Sequence, residues 1–196
     1  MCNIRELIQW TNSDLIMHKL EQLFQLSAAD IFDVILKNNR TMMNLKGAIA
    51  QEHLERHLLR LKREGVIEDI GRIDKDGKPD FEISFSGTRL FLECKNVQKE
   101  PKGKNKNITI DFWKTRYQKT SGPISRFYHE DEFQLLAACL FNRTGKWDFR
   151  FIQTSRLPRH PEDKKRYHNR VSLESSTPYG KYWSDSLLEV LKAAAT

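Results

Sequence analysis

Residues 79–95 have the sequence PDFEISFSGTRLFLECK. Apolar side chains alternate with polar ones on both sides of the dipeptide Ser86-Gly87, which is suited to a two-residue turn. The pattern predicts a β-hairpin with one face turned to the core. In the register that this turn sets, Phe81 faces Leu92 on the apolar side of the hairpin.

The same register brings two carboxylates together on the opposite face. Asp80 faces Glu93, and Lys95 lies two residues further along that face. Directly opposed Cβ atoms lie about 4.5–5.5 Å apart, so both carboxylates can reach one cation. Because Mg²⁺ commonly binds one or two carboxylates together with phosphate and water, the hairpin predicts a magnesium site with an ammonium group beside it.

Pro79-Asp80, followed by Glu93-Cys94-Lys95, resembles the PD-(D/E)xK nuclease motif in its ExK form. The resemblance implies a restriction-endonuclease-like core and Mg²⁺-dependent hydrolysis of DNA that leaves 5′-phosphate ends, with Mn²⁺ able to replace Mg²⁺. It also implies that Asp80, Glu93 and the backbone carbonyl of Cys94 bind the metal, and that Lys95 positions and activates the attacking water and balances charge on the phosphate. An Asp followed later by Glu-x-Lys is common in any charged sequence. The alternative to a nuclease motif is a pair of surface strands whose charges are solvated.

A third acid is less clearly placed. The family often adds a Glu from an upstream helix, in a pattern similar to Gly-x-x-x-Glu, but the fourth residue after Gly47 is Gln51. Glu52 or Glu55 could take this part. Both could equally be ordinary exposed charges on a helix.

Basic residues are concentrated in two stretches of a chain whose net charge is +7. Residues 95–126 contain nine Lys and Arg, and residues 156–170 contain six. Clustered cations suit a DNA partner, although a solubilising surface has the same composition. Four residues are predicted to contact DNA: Lys114, Arg116, Arg126 and, as a lesser candidate, Tyr128. Phe112 and Trp113 are expected in the core.

Hydrophobic periodicity along the chain predicts helices, a hairpin and further strands. The helices are expected over residues 15–36 (with Ser27 as a cap), 44–64 (ending at Gly65), 132–141 and 185–195, and the strands other than the hairpin over residues 66–73, 108–117 and 147–152. This order predicts an α/β (mixed) fold, a central mixed β-sheet flanked by helices. The expected regions are an N-terminal helical region (1–45), a nuclease core (46–155) and a basic C-terminal extension ending in a short helix (156–196).

Other functions fit parts of the sequence. Residues 28–73 could form a winged helix-turn-helix of a DNA-binding regulator, with the turn at residues 40–44. Among nucleases, a restriction or defence enzyme is the first expectation and a repair or recombination nuclease the alternative. Cutting both strands would favour a homodimer. No apolar stretch is long enough to span a membrane, and three cysteines suit a reducing compartment, so a cytoplasmic location without a membrane partner is expected.

Overall fold

The computed structural model describes residues 19–75, 77–100, 107–114 and 122–194. The chain divides into two compact units, Met1–Leu45 and Lys46–Thr196. Within the described ranges, no helix combines the length and the apolar content needed to cross a membrane.

The N-terminal unit contains helix α1 (Lys19–Phe24), helix α2 (Ala28–Lys37) and the first residues of helix α3 (Asn39–Arg63). The predicted cap of α2 is confirmed, because the Ser27 hydroxyl accepts the N–H of Asp30 at 3.2 Å. Helix α3 begins only two residues after α2 ends, because the Asn38 side chain caps it by accepting the N–H of Thr41 at 3.0 Å. Residues 40–44 are therefore helical. The turn predicted there for a winged helix-turn-helix is absent, so that prediction is wrong.

The second unit is built on a five-stranded sheet in the order β1-β2-β3-β5-β6. Its strands are β1 (Asp69–Arg72), β2 (Phe81–Phe85), β3 (Thr88–Asn96), β5 (Leu135–Cys139) and β6 (Phe149–Gln153). Only the β3–β5 pair is parallel, so the sheet is mixed. A separate antiparallel pair joins β4 (Thr109–Asp111) to β7 (Arg170–Ser172). The remaining α-helices of the described residues are α4 (Phe141–Thr144) and α5 (Leu187–Ala194). The predicted mixed α/β fold is confirmed.

Apolar residues cover both faces of this sheet. Helices α3 and α5 pack on one face, where Leu54, Leu58 and Leu191 are fully buried. The opposite face packs against a second cluster that includes Ile110 of β4 and Val171 of β7. The last forty residues thus contribute a helix to one layer and a strand to the other.

The prediction of a helix over residues 132–141 is wrong, because this part of the chain contains strand β5. All five residues of β5 are buried, and they alternate between the cluster beneath α3 and the cluster on the opposite face. A strand that is buried on both faces has no alternation of apolar and polar residues. Its sequence is a short apolar run, a pattern that a buried helix also has, so the pattern does not distinguish the two structures. Its pairing with β3 on one side and β6 on the other decides its conformation.

The ends of several elements follow the predicted signals. Helix α3 stops at Gly65, whose φ of +72° suits glycine, and the N–H of Val66 closes the helix on the carbonyl of Leu61 at 2.9 Å. Strands β1 and β6 and helix α5 overlap their predicted ranges. The strand predicted over residues 108–117 is shorter, because β4 ends at residue 111, and residues 115–117 lie outside the described ranges.

Candidate active site

The hairpin of β2 and β3 has the predicted register, in which Phe81 pairs with Leu92. Ser86 and Gly87 form its turn with φ angles of +50° and +70°, as a two-residue hairpin loop of the primed type requires. This register carries Asp80, at the start of β2, next to the middle of β3. The contact is direct, since the backbone N–H of Cys94 donates to Oδ2 of Asp80 at 2.7 Å.

Asp80 is half-buried and held on both carboxylate oxygens. Besides the bond from Cys94, the amide Nε2 of Gln51 on α3 donates to Oδ1 of Asp80 at 2.6 Å. Burial, and then the negative charge of Glu93, raise the pKa of Asp80 to about 6. Repulsion between the two carboxylates, which line the same cleft, is thus the second cause of the increase after burial.

Glu93 is the most deeply buried ionisable group at the site, with 2% of the residue exposed. Its Oε1 accepts a hydrogen bond from the Tyr128 hydroxyl at 2.7 Å and forms an ion pair with Lys95. Its Oε2 is buried and has no hydrogen-bond partner in the part of the chain that the structure describes. A buried carboxylate oxygen without a partner is costly, so this atom points to a ligand from outside the chain.

Lys95 lies beside the two acids. Burial is the largest single influence and would lower the pKa of the Lys95 amine, but Glu93, Tyr128 and Asp80 together outweigh it and raise the pKa above its ordinary value. Lys95 therefore remains an ammonium ion. The neighbouring Cys94 is buried, and burial raises the pKa of its thiol, which argues against a role as a nucleophile.

These side chains share an open cleft of about 590 Å³. Its walls come from α3, the end of β1, the β1–β2 loop, the hairpin and the segments around residues 114 and 128. The lining residues are Gln51, Arg72, Ile73, Asp74, Lys75, Gly77, Lys78, Asp80, Glu93, Lys95, Lys114 and Tyr128. The cleft walls therefore carry four cations and one further acid, Asp74, around Asp80, Glu93 and the Lys95 ammonium.

The candidate third acids lie beside Arg72. Oε2 of Glu55 accepts a bond from Nη1 of Arg72 at 2.7 Å, and Oε2 of Glu52 is 3.6 Å from the same nitrogen. Gln51 takes the position next to Asp80. Among the described residues, no group of three or more His, Cys, Asp or Glu side chains is arranged to hold a metal ion. The assignment of Glu52 or Glu55 as a metal ligand stays a prediction.

Arg72 is a cleft residue that the sequence analysis missed. Nothing in the local pattern of β1 singles it out, because it is one exposed cation in a short strand. Its position follows from α3, whose acids hold the guanidinium at the cleft wall.

Lys114 and Arg126, two of the predicted DNA contacts, are neighbours. The N–H of Lys114 donates to the carbonyl of Arg126 at 2.9 Å, and Nε of Arg126 donates to the carbonyl of Lys114 at 3.1 Å. The Lys114 ammonium forms an ion pair with Glu132 at 2.7 Å. Arg116, the third predicted cation, lies outside the described residues.

The two aromatic residues before Lys114 differ from each other. Phe112 is buried as expected. Trp113 is 40% exposed, so its expected place in the core is wrong. The Arg126 guanidinium covers its ring at 4.2 Å from the centroid, an arrangement that stabilises an aromatic ring at the surface.

The site has the features of a divalent-cation site. Two carboxylates converge, one of their oxygens is buried and unpartnered within the described chain, and an ammonium lies next to them. Mg²⁺ prefers oxygen ligands and often takes only one or two carboxylates from the protein. The donor set therefore fits a hard cation such as Mg²⁺ or Mn²⁺.

Comparison with known proteins identifies the fold. No family model matches the sequence, and no curated protein is significantly similar in sequence. Among solved structures, the bacterial homing endonuclease I-Ssp6803I is similar, with a TM-score of 0.52 and 19% sequence identity. The match covers 79% of this chain and 97% of that chain. The protein therefore shares the fold of a bacterial homing endonuclease.

Proposed function

We propose that this protein is a DNA endonuclease that depends on a divalent cation, Mg²⁺ or in its place Mn²⁺, and that the cleft around Asp80 and Glu93 is its active site. The observation that carries the proposal is the unpartnered, buried Oε2 of Glu93 beside Asp80, within the described part of the chain. The fold shared with a homing endonuclease and the PD-(D/E)xK resemblance support it.

Asp80 and Glu93 would hold the cation, with the backbone carbonyl of Cys94 as the third ligand that the resemblance implies. Water and a DNA phosphate would complete the coordination, as is common for Mg²⁺. When bound, the cation supplies positive charge that stabilises the additional negative charge of the phosphoryl transition state. Gln51 and the N–H of Cys94 keep the Asp80 carboxylate in place for this task.

Lys95 acts as a hydrogen-bond donor in this proposal. Because the neighbouring groups, Glu93 first among them, together keep its amine protonated in spite of burial, Lys95 is unsuited to accept a proton from water. Its ammonium group instead orients the attacking water and balances charge on the scissile phosphate. Attack by this water on phosphorus would break the bond to the 3′-oxygen, with the water's proton released to solvent and one taken up by the 3′-oxygen. The products would be a 5′-phosphate and a 3′-hydroxyl, as the resemblance implies.

Cations along the cleft would contact the phosphate backbone. Arg72, Lys75, Lys78 and Lys114 line it, and lysine and arginine side chains commonly bind phosphate oxygens without regard to base sequence. Lys114 contributes little net positive charge to the cleft, because its ammonium forms an ion pair with Glu132. Arg126, stacked on Trp113, extends the basic surface next to Lys114.

Cleavage assays test the proposal. Purified protein is incubated with supercoiled, linear, single-stranded and branched DNA in Mg²⁺, Mn²⁺ or EDTA, and the ends are sequenced. We expect cleavage with either cation and none in EDTA. Asp80→Asn and Lys95→Ala should reduce the rate by about 10²–10³-fold or more while DNA binding in EDTA is retained. Asp69→Asn, an exposed acid paired with Lys62, is the matched control and should cut normally. DNA that is bound but left intact with every cation would contradict the proposal.

The biological role is a further part of the proposal. A restriction or defence role remains our first choice from the sequence, and the shared fold favours a homing-type role as the second. Sensitivity of cleavage to DNA methylation would support restriction, cutting at rare duplex sites regardless of methylation would support the homing role, and a preference for branched DNA would support repair or recombination. Cutting of both strands would favour a homodimer, which light scattering in solution measures.

A further inference from the structure

Two hydrogen-bond donors converge on one oxygen of Glu93. The Tyr128 hydroxyl donates to Oε1 at 2.7 Å, and the Lys95 ammonium pairs with the same atom. The other oxygen, Oε2, is buried and has no partner among the described residues. The carboxylate is therefore held from one side, and its free oxygen is available to a ligand.

The ring of Tyr128 is fixed by its surroundings. Only 8% of the residue is exposed. The ring packs edge-on against Phe133 with 5.0 Å between centroids and stacks on Phe112 at 6.3 Å, while the Lys114 ammonium lies 5.6 Å from its centre. A ring with so little freedom holds its hydroxyl in one place. So little exposed surface also argues against the phosphate contact expected of Tyr128 from the sequence.

We propose that Tyr128 is a positioning residue for the metal site: its hydroxyl fixes Oε1 of Glu93 so that Oε2 is presented to the cation shared with Asp80. The inference rests on the proposed function, because it assigns Glu93 as a ligand. Lys95 alone would hold the carboxylate poorly, since its flexible side chain can follow Glu93 through several rotamers. The rigid phenol restricts the carboxylate from its buried side.

Tyr128→Phe tests this directly, because it removes the hydroxyl and keeps the ring. Mn²⁺ affinity is measured on the full chain without DNA, from the electron paramagnetic resonance signal of free Mn²⁺. We expect Mn²⁺ to bind about tenfold more weakly, the lower end of the usual effect of losing a group that orients a metal ligand. Tyr167→Phe is the matched control, since Tyr167 is also buried and its hydroxyl donates to the carbonyl of Glu130 at 3.2 Å. It should bind Mn²⁺ like the wild type.

Cleavage gives a second readout. In Tyr128→Phe, the Mg²⁺ concentration for half-maximal cleavage should rise by about tenfold, while the rate at saturating Mg²⁺ and the DNA affinity in EDTA stay near wild type. A purely structural role would lower the rate at every Mg²⁺ concentration. Reduced DNA affinity with unchanged Mn²⁺ affinity would mean that Tyr128 contacts phosphate, and would overturn the inference.

Glu93→Asp provides a second variant that keeps the tyrosine. The shorter side chain draws the carboxylate away from the hydroxyl, so Mn²⁺ affinity should fall, and adding Tyr128→Phe should then have little further effect. Fully additive losses would overturn the inference, as would Mn²⁺ binding that is lost in Asp80→Asn but unchanged in Tyr128→Phe.

Equal Mn²⁺ binding by the wild type and Asp80→Asn would instead overturn the proposed function and this inference together. Circular dichroism verifies that each variant is folded.

Discussion

At the scale of single residues, Asp80 carries an electrostatic cost. Burial and the neighbouring charge of Glu93 raise its pKa to about 6. A carboxyl group whose pKa is higher in the folded chain than in the unfolded chain binds its proton more tightly when folded, so its ionisation lowers the free energy of unfolding. Without a cation, the protein therefore loses stability from this group as the pH rises from the ordinary aspartate pKa to about 6.

We expect Asp80→Asn to stabilise the protein when no divalent cation is present. The variant lacks the charge repulsion, so near neutral pH in EDTA its midpoint of thermal unfolding should rise by about 2–6 °C. Well below the ordinary aspartate pKa of 3.8, where Asp80 is protonated in both states, the difference should almost disappear. Thermal unfolding followed by circular dichroism across this pH range measures the effect.

Asp69→Asn is the control for that prediction because its shift has the opposite sign. A hydrogen bond from Lys62 lowers the pKa of Asp69, so ionised Asp69 favours the folded state. Its replacement should not raise the unfolding midpoint at any pH. A lower midpoint for Asp80→Asn than for the wild type at neutral pH would contradict our account of the site.

At the scale of elements, helix α3 and strand β1 jointly place a cation in the cleft. Glu55 on α3 holds the guanidinium of Arg72, the last residue of β1, at 2.7 Å. The contact links two segments that are far apart in sequence. Glu52 and Glu55, the candidate third acids of the sequence, therefore lie beside an arginine.

We expect Arg72→Gln to weaken DNA binding for every sequence. Loss of one phosphate contact should make the slope of log affinity against log salt less steep by about 1, which titrations at several salt concentrations measure in EDTA. Arg56→Gln is the control, since Arg56 is a cation on helix α3 that pairs with Glu52, an acid close to Arg72. Identical affinities and slopes for the two variants would show that Arg72 does not contact DNA.

Strand β5 is an interior strand of the sheet, and all five of its residues are buried. Leu136 in this strand is fully buried, so Leu136→Ala should lower the free energy of unfolding by about 2–5 kcal/mol. Leu59→Ala on the exposed side of α3, where Leu59 is 44% exposed, should change it by less than about 0.5 kcal/mol. Urea unfolding measures both, and equal effects would contradict the burial of β5 on both faces of the sheet.

At the scale of the whole molecule, cation binding and folding should be coupled. A ligand that binds only the folded chain stabilises it, by about 2.7 kcal/mol at a concentration one hundred times its dissociation constant. We expect Mg²⁺ or Mn²⁺ to raise the unfolding midpoint of the wild type and EDTA to reverse the increase. The increase should be lost in Asp80→Asn and Glu93→Gln. The same increase in those variants would place cation binding elsewhere in the chain.

Several features of both units could be predicted from local patterns. The register of the hairpin, the Gly65 stop and the Ser27 cap each depend on residues a few positions apart, and each is confirmed. Strand β5 could not be predicted, because its conformation depends on two neighbouring strands and on burial of both faces. Trp113 was misplaced for a related reason, since only its contact with Arg126 shows where the ring lies.

Local sequence suffices to bring Asp80, Glu93 and Lys95 together, because a two-residue turn and the two-residue period of strands leave one register for the apolar face. The surroundings of these three residues depend instead on long-range packing. Gln51, Arg72 and Tyr128 come from a helix, another strand and a distant segment, and no local pattern relates their positions to the hairpin. They meet it because both faces of the sheet must be covered by apolar layers, and the packing of those layers carries these side chains to the cleft.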